Sequence, residues 1–297
     1  AACTCTYVAT ERKRLVGYLE DSGVVEDAAA WLERVESATV AALDRLGEAT
    51  ANELRDVVPE LQLKIPFGQG KKWGGEVGVS TRVLFLLATA GRIVRTRPLG
   101  TWISSQYRWA LLSRWFPQGL DTVDPATARI QLVKRWLRVF GPGTLGDVKW
   151  WTGWGVGVSR QAISGSGAVQ IDTEDAPAFV LPEDQGDVPE PEDWVALLPS
   201  LDPTVMGWKS RDWYLGQCAR ELFDRNGNAG PTVWHNGRVV GGWAQAADGE
   251  IRIELLEAVD SQAASQIEAA AHRLGHWFDD TRITPRFRTP LENRLLA

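Results

Sequence analysis

Positive charge is the first chemistry this sequence offers. Between Leu61 and Arg160 stand 15 lysines and arginines against 4 aspartates and glutamates. The rest of the chain holds 17 basic and 34 acidic residues, so a net charge of −6 hides a cationic middle between acidic flanks. That asymmetry suits a surface that meets phosphates; the plain alternative is that the flanks fold over and neutralise it. Trp73, Trp102, Trp109, Trp150, Trp151 and Trp154 stand among these bases, where a ring can stack or wedge. Other chemistries find little support. Cys3, Cys5 and Cys218 build neither a disulfide frame nor a zinc spacing. His272 and His276 lie one helical turn apart without an evident third ligand, so no metal or cofactor is expected.

The elements that must position the bases are clearest in Asp124–Leu181. Ile130, Leu132, Val133, Trp136, Leu137, Val139 and Phe140 recur at about helical spacing, with Lys134, Arg135 and Arg138 between them. Asp124 is a good cap, Pro125 suits a first turn, and Gly141-Pro142-Gly143 stops the helix. Thr144 then caps a helix of Leu145 to about Trp151, with Asp147 at the third position of a capping box. After a turn at Thr152–Gly155, a third helix covers about Val158–Ile163, and strands follow at Ala168–Asp172 and Ala178–Leu181. That order is the order of a winged helix-turn-helix, and also of a generic small α+β unit.

A unit of the same kind precedes it. Helices are expected over Glu11–Asp21, Ala28–Leu46, a segment capped by Thr50 with Glu53, and Val79–Ala90. The basic, Gly-rich stretch from Ile65 to Gly78 is either mobile or a strand pair, and Arg92–Arg97 with Thr101–Trp109 reads as a hairpin. An acidic, Pro-rich linker follows Leu181. Beyond it a three-stranded meander (Pro231–His235, Arg238–Gln245, Glu250–Leu256), a helix over Ser261–Phe278 and an extra strand at Ile283–Arg288 are expected. The fold class is therefore α+β: tandem winged helix-turn-helix units and a small β-rich C-terminal domain, divided as 1–115, 116–182 and 183–297. Within it, Lys71, Lys72, Arg82, Arg92, Arg95 and Arg97 of the first unit, and Thr144, Lys149 and Arg160 of the second, stand at helix starts and hairpins, where phosphates are met. Each is otherwise a solvated side chain. The tip His235-Asn236-Gly237-Arg238 either probes a groove through His235 and Arg238 or is a type I′ turn and no more.

Three stretches carry a family resemblance: LLPSLDPTVMGWKSRDWYL (Leu197–Leu215), LFDRNGNAGPTVWHNGRVVGGW (Leu222–Trp243) and WLRVFGPGTLGDVKWWTGW (Trp136–Trp154). Together they resemble a bacterial family of winged-helix DNA-binding proteins whose characterised members are AlkZ/YcaQ-like DNA glycosylases. The resemblance runs from about residue 30 to the end. It implies a concave cationic surface around duplex DNA and metal-free excision of alkylated bases, including those in interstrand crosslinks. It also implies a Gln-x-Gln or Gln-x-Asp motif near the N-terminus that positions the attacking water. This sequence has no Gln-x-Gln; Gln170-Ile171-Asp172 has the second spelling but falls in the later unit's hairpin, where strand alternation explains it as well. The resemblance further implies a segment of roughly 80–100 residues ahead of Ala1, which would supply the motif.

Base excision requires a flipped nucleotide and an acid or amide beside the sugar carbon, where positive charge builds. Asp202 and Asp212, inside the motif-rich Leu197–Leu215, are the carboxylates to test; catalytic residues are otherwise unassigned. Asp202-Pro203 reads equally as a cap or turn, and Arg211 beside Asp212 as an ion pair. The expected protein is a monomer on double-stranded DNA without strong sequence specificity, cytoplasmic and nucleoid-associated, with no membrane partner and no cofactor. It is a glycosylase or, alternatively, a non-catalytic regulator with the same fold.

Overall fold

The computed structural model describes residues 5–67, 75–121, 123–174, 176–186, 188–285 and 287–297. Lys71, Lys72 and Trp73 lie outside the described residues. Two compact units divide the chain, Ala1–Arg129 and Ile130–Ala297.

The first unit opens with α1 (Cys5–Ser22) and α2 (Ala28–Leu46). Trp31, Leu32, Val35 and Leu43 fall on one side of α2 and are buried, Asp27 caps its start by accepting from the Ala30 amide, and Gly47 ends it at φ +80°. A three-residue strand, β1 (Glu48–Thr50), leads into α3 (Ala51–Val57). Thr50 Oγ accepts from the Glu53 amide at 3.2 Å while the Glu53 carboxylate accepts from the Thr50 amide at 2.7 Å, the expected capping box. The Gly-rich stretch is a strand pair, β2 (Lys64–Phe67) with β3 (Gly75–Gly78). Then come α4 (Val79–Thr89), β4 (Ile93–Pro98), β5 (Tyr107–Leu111) and the short α5 (Leu112–Trp115). The sheet runs β1-β5-β4, all antiparallel. Leu19, Leu32, Leu43, Leu54, Val83, Leu87 and Ile93 fill one core beneath it. Each such side chain contributes about 1.5–3 kcal/mol when fully buried.

The helix α6 (Pro125–Phe140) carries the division between units. It is followed by α7 (Leu145–Thr152), α8 (Val156–Gly165), β6 (Val169–Ile171) and β7 (Ala178–Val180), the order expected for this stretch. Gly143, between α6 and α7, exchanges backbone hydrogen bonds with Phe179 of β7. The arrangement repeats that of the first unit, where β1 lies between α2 and α3 and pairs with β5, the last strand of its hairpin.

The C-terminal part holds four strands rather than three. β8 (Val195–Leu198), β9 (Thr232–His235), β10 (Arg238–Gln245) and β11 (Ile251–Leu255) form an antiparallel sheet in the order β11-β10-β9-β8. The helix α9 (Asp212–Leu215), α10 (Ala219–Leu222), α11 (Ser261–Phe278) and α12 (Pro290–Leu295) complete it. The expected strand at Ile283–Arg288 is absent among the described residues. One side-chain amide takes its place: Gln245 donates to the Thr281 carbonyl and accepts from the Ile283 amide. No helix among the described residues is long and apolar enough to cross a membrane.

Trp208 holds the α6–α7 region to the C-terminal sheet. Its indole donates to the Phe140 carbonyl at 2.9 Å, and its ring meets Phe140, Trp213 and Tyr214 at centroid distances of 5.3, 5.1 and 5.7 Å. Gly207 lets the chain reach that depth, since a Cβ there would stand 2.5 Å from the Phe140 ring. Gly207→Ala should therefore lower unfolding free energy by about 1–3 kcal/mol in denaturant titration, through overpacking; an unchanged midpoint would disprove the close fit.

Candidate nucleic-acid interface

The expected cations divide by what surrounds them. Arg82 sits on α4 with its guanidinium 3.8 Å from Glu11 of α1. Arg95, on β4, faces across to β5, where its guanidinium lies 5.3 Å from the Tyr107 ring and 5.1 Å from the Trp109 ring. The rings hold the long side chain without removing its charge. Arg92 and Arg97 are exposed and meet no carboxylate among the described residues. Arg108, on β5, reaches Glu53 at 3.8 Å. A cavity of about 720 Å³ beside the hairpin is lined by Asn52, Glu53, Arg82, Arg95, Gln106 and Tyr107, among others.

In the second unit Lys149 on α7 and Arg160 on α8 are exposed and, like Arg92 and Arg97, have no carboxylate partner among the described residues. Trp150 and Trp151 on α7 are 39% and 41% exposed, so aromatic surface stands beside Lys149. Thr144 is spent on structure. Its hydroxyl donates to the Asp147 carboxylate at 2.6 Å and accepts from the Asp147 amide at 3.1 Å, which leaves it no proton for a phosphate.

The hairpin tip is a tight turn. Asn236 and Gly237 have φ of +46° and +82°, and His235 pairs with Arg238 across it. Asn236 accepts from the Trp194 amide and donates to Asp193, which ties the tip to the chain entering β8. Arg238 reaches back to Glu257 at 3.0 Å.

The carboxylates sort the same way. Asp202 accepts from the Thr204 amide at 2.8 Å, closing a turn. Asp212 opens α9 at the surface. Arg211 does not pair with it: its guanidinium lies 4.8 Å from Trp150 and 4.9 Å from Phe223, and its Nε donates to the Trp208 carbonyl. Burial lowers the affinity of that guanidinium for its proton. Gln170 and Asp172 sit in and just past β6, both exposed.

The residue that composition and spacing undervalue is Asp147. It is 3% exposed. Beyond capping α7 through the Thr144 amide and hydroxyl, its other oxygen accepts from the amides of Lys209 at 2.8 Å and Ser210 at 3.4 Å. The capping box was visible in the sequence; the second set of donors, from 62 positions away, was not. Cys218 is buried and its thiol is pushed up by that burial, then by Glu257, which makes it a packing group rather than a nucleophile. Among the described residues no cluster of three or more His, Cys, Asp or Glu could hold a metal.

Exposed arginines and tryptophans on helix–hairpin units are features that nucleic-acid-binding proteins share. The sequence matches the family described as DNA glycosylase AlkZ-like over residues 8–277, and the chain belongs to that family. Its structure is similar to the DNA glycosylase AlkZ of Streptomyces sahachiroi, with a TM-score of 0.66 and 20% identity, covering 91% of this chain and 73% of that one; at this identity the likeness is one of fold. Comparison with curated proteins finds no match.

Two measurements test the geometry. Asp147→Ala would leave the Thr144, Lys209 and Ser210 donors without an acceptor and should cost about 3 kcal/mol of unfolding free energy, far more than Asp202→Ala; equal losses would contradict the buried role. Burial also holds the Tyr214 phenol, which donates to the Val205 carbonyl, above its ordinary range. A raised folded value means its contribution is full below the unfolded pKa and lost above it. Unfolding free energy should thus fall as pH rises past about 10, and Tyr214→Phe should flatten that fall.

Proposed function

We propose that this chain is a duplex-DNA-binding protein of base-excision repair that acts on alkylated or crosslinked bases, built from tandem winged helix-turn-helix segments, 1–115 and 116–182, and a β-rich domain, 183–297. The observation that carries the reading is the repeated topology. In both segments, residues at a junction of two helices pair with the last strand of the closing hairpin: β1, between α2 and α3, with β5, and Gly143, between α6 and α7, with Phe179 of β7. This pairing supports the winged-helix reading, in which a helix and a hairpin meet nucleic acid. Arg92, Arg97, Lys149 and Arg160 stand exposed on these elements, and a phosphate would be their natural partner. Arg95 and Arg82 reach the same hairpin–helix surface of the first unit, beside the cavity they line. Contacts of this kind give affinity without sequence reading, and the protein acts as a monomer on the duplex.

A second reading, DNA binding without base excision, rests on Asp202, one of the two candidate carboxylates, being committed to the Thr204 amide, which leaves Asp212 at the start of α9 as the other.

The test is duplex binding across a salt series. The logarithm of affinity should fall linearly with that of salt concentration, and Lys149→Ala and Arg160→Ala should each lower the slope by about 0.9 without introducing sequence preference. Binding that ignores salt would overturn the proposal. Release of base from an N7-alkylated duplex by the purified chain, lost in Asp212→Asn, would favour excision; stable binding with intact glycosidic bonds would favour the second reading.

A further inference from the structure

The tip of the β4–β5 hairpin is built in a way that a solvated turn is not. Leu99 donates its amide to the Gln106 carbonyl at 2.8 Å, closing the end of the ladder. Beyond it the Ser104 amide donates to the Thr101 carbonyl at 3.0 Å, which makes Thr101–Ser104 a tight turn with Trp102 and Ile103 at its two corners. Turn corners ordinarily carry Gly, Asn, Asp or Pro. Here two large apolar residues stand outward, Trp102 60% and Ile103 45% exposed. The Ser104 hydroxyl accepts from the Gln106 amide and stiffens the base of the turn.

The strands behind the tip are cationic. From Arg92 to Leu120 the sequence contains Arg92, Arg95, Arg97, Arg108 and Arg114 and no aspartate or glutamate. Arg95 and Arg97 alternate along β4, and Arg95 is held over Tyr107 and Trp109. An apolar corner on a basic, rigid ribbon fits one kind of occupant: a polyanion with an apolar interior, which is the base stack of a double helix between its phosphates. Of these arginines, Arg108 and Arg114 pair with Glu53 and Asp44, which leaves Arg92, Arg95 and Arg97 as the cations offered to a polyanion.

We propose that Trp102, backed by Ile103, enters a base step of duplex DNA as a wedge while the arginines of β4 contact the flanking phosphates. This inference rests on the reading that the chain binds duplex DNA. A wedge must unstack a step, and a step that is already weakened by a mismatch or an abasic site resists least. The tip therefore makes the protein a reader of local duplex weakness.

The experiment compares affinities, by fluorescence anisotropy of the full chain, for a fully paired duplex and for the same duplex carrying one abasic site. The wild type should prefer the abasic duplex by about tenfold or more. Trp102→Ala should bring the ratio close to one, and Trp102→Phe should keep most of it. Lys149→Ala should weaken both affinities in parallel and leave the ratio in place. Binding to neither duplex would overturn the DNA-binding reading itself. Equal binding of the wild type to both, or a preference that survives Trp102→Ala, would overturn the wedge alone.

Discussion

One buried carboxylate organises the second unit. Asp147 is removed from water, a cost that only several donors can offset. It receives them from two sides, the start of α7 and the amides of Lys209 and Ser210. The same side chain thus caps a helix and fixes a loop. The loop carries Gly207, Trp208, Arg211 and Tyr214, whose packing follows from where Asp147 holds it: Trp208 against Phe140, Tyr214 stacked on Trp234 at 16° between planes, Arg211 between Trp150 and Phe223. The motif-rich Leu197–Leu215 is therefore a joint. Its residue types serve the fixing of the sheet to α6–α7, and Asp202 within it is bound to the Thr204 amide.

Charge in the first unit is managed differently. Arg82 with Glu11 and Arg108 with Glu53 are exposed or half-exposed pairs, each of which contributes little to stability. Arg95 uses rings in place of an acid, which keeps the full positive charge available while limiting the rotamers to be lost on binding. A protein that grips phosphates gains from cations held by aromatic faces, because a carboxylate partner would have to be displaced. On α7 it is Arg211 that lies over the half-exposed Trp150, while Lys149 stands exposed.

Family membership sets the context of DNA repair, and it leaves the chemistry of individual side chains to the geometry. Both helix–hairpin units present exposed bases, yet their tips differ. The first ends in Trp102-Ile103, while the β6–β7 hairpin of the second carries Asp172 and Glu174 beyond β6. Two copies of one architecture need not do the same work on a duplex; an apolar tip and an acidic tip face a base stack with opposite energetics.

Local chemistry was legible in the sequence wherever it closed within a few residues. The capping boxes of Thr50 with Glu53 and Thr144 with Asp147, the Asn236-Gly237 turn and the apolar spacing of α2, α6 and α11 all depend on neighbours at most a turn or two away. Tertiary structure alone decided the rest. β1 is three residues long and exists because β5 lies beside it; β8 likewise is a strand by virtue of β9. Ile283 lost its expected strand to one glutamine side chain. Arg211 turned from the adjacent Asp212 to two rings, since burial favours a partner that needs no second desolvated charge. Spacing along a chain fixes what a residue can do with its near neighbours; which distant donor, ring or strand it meets is set only when the fold closes.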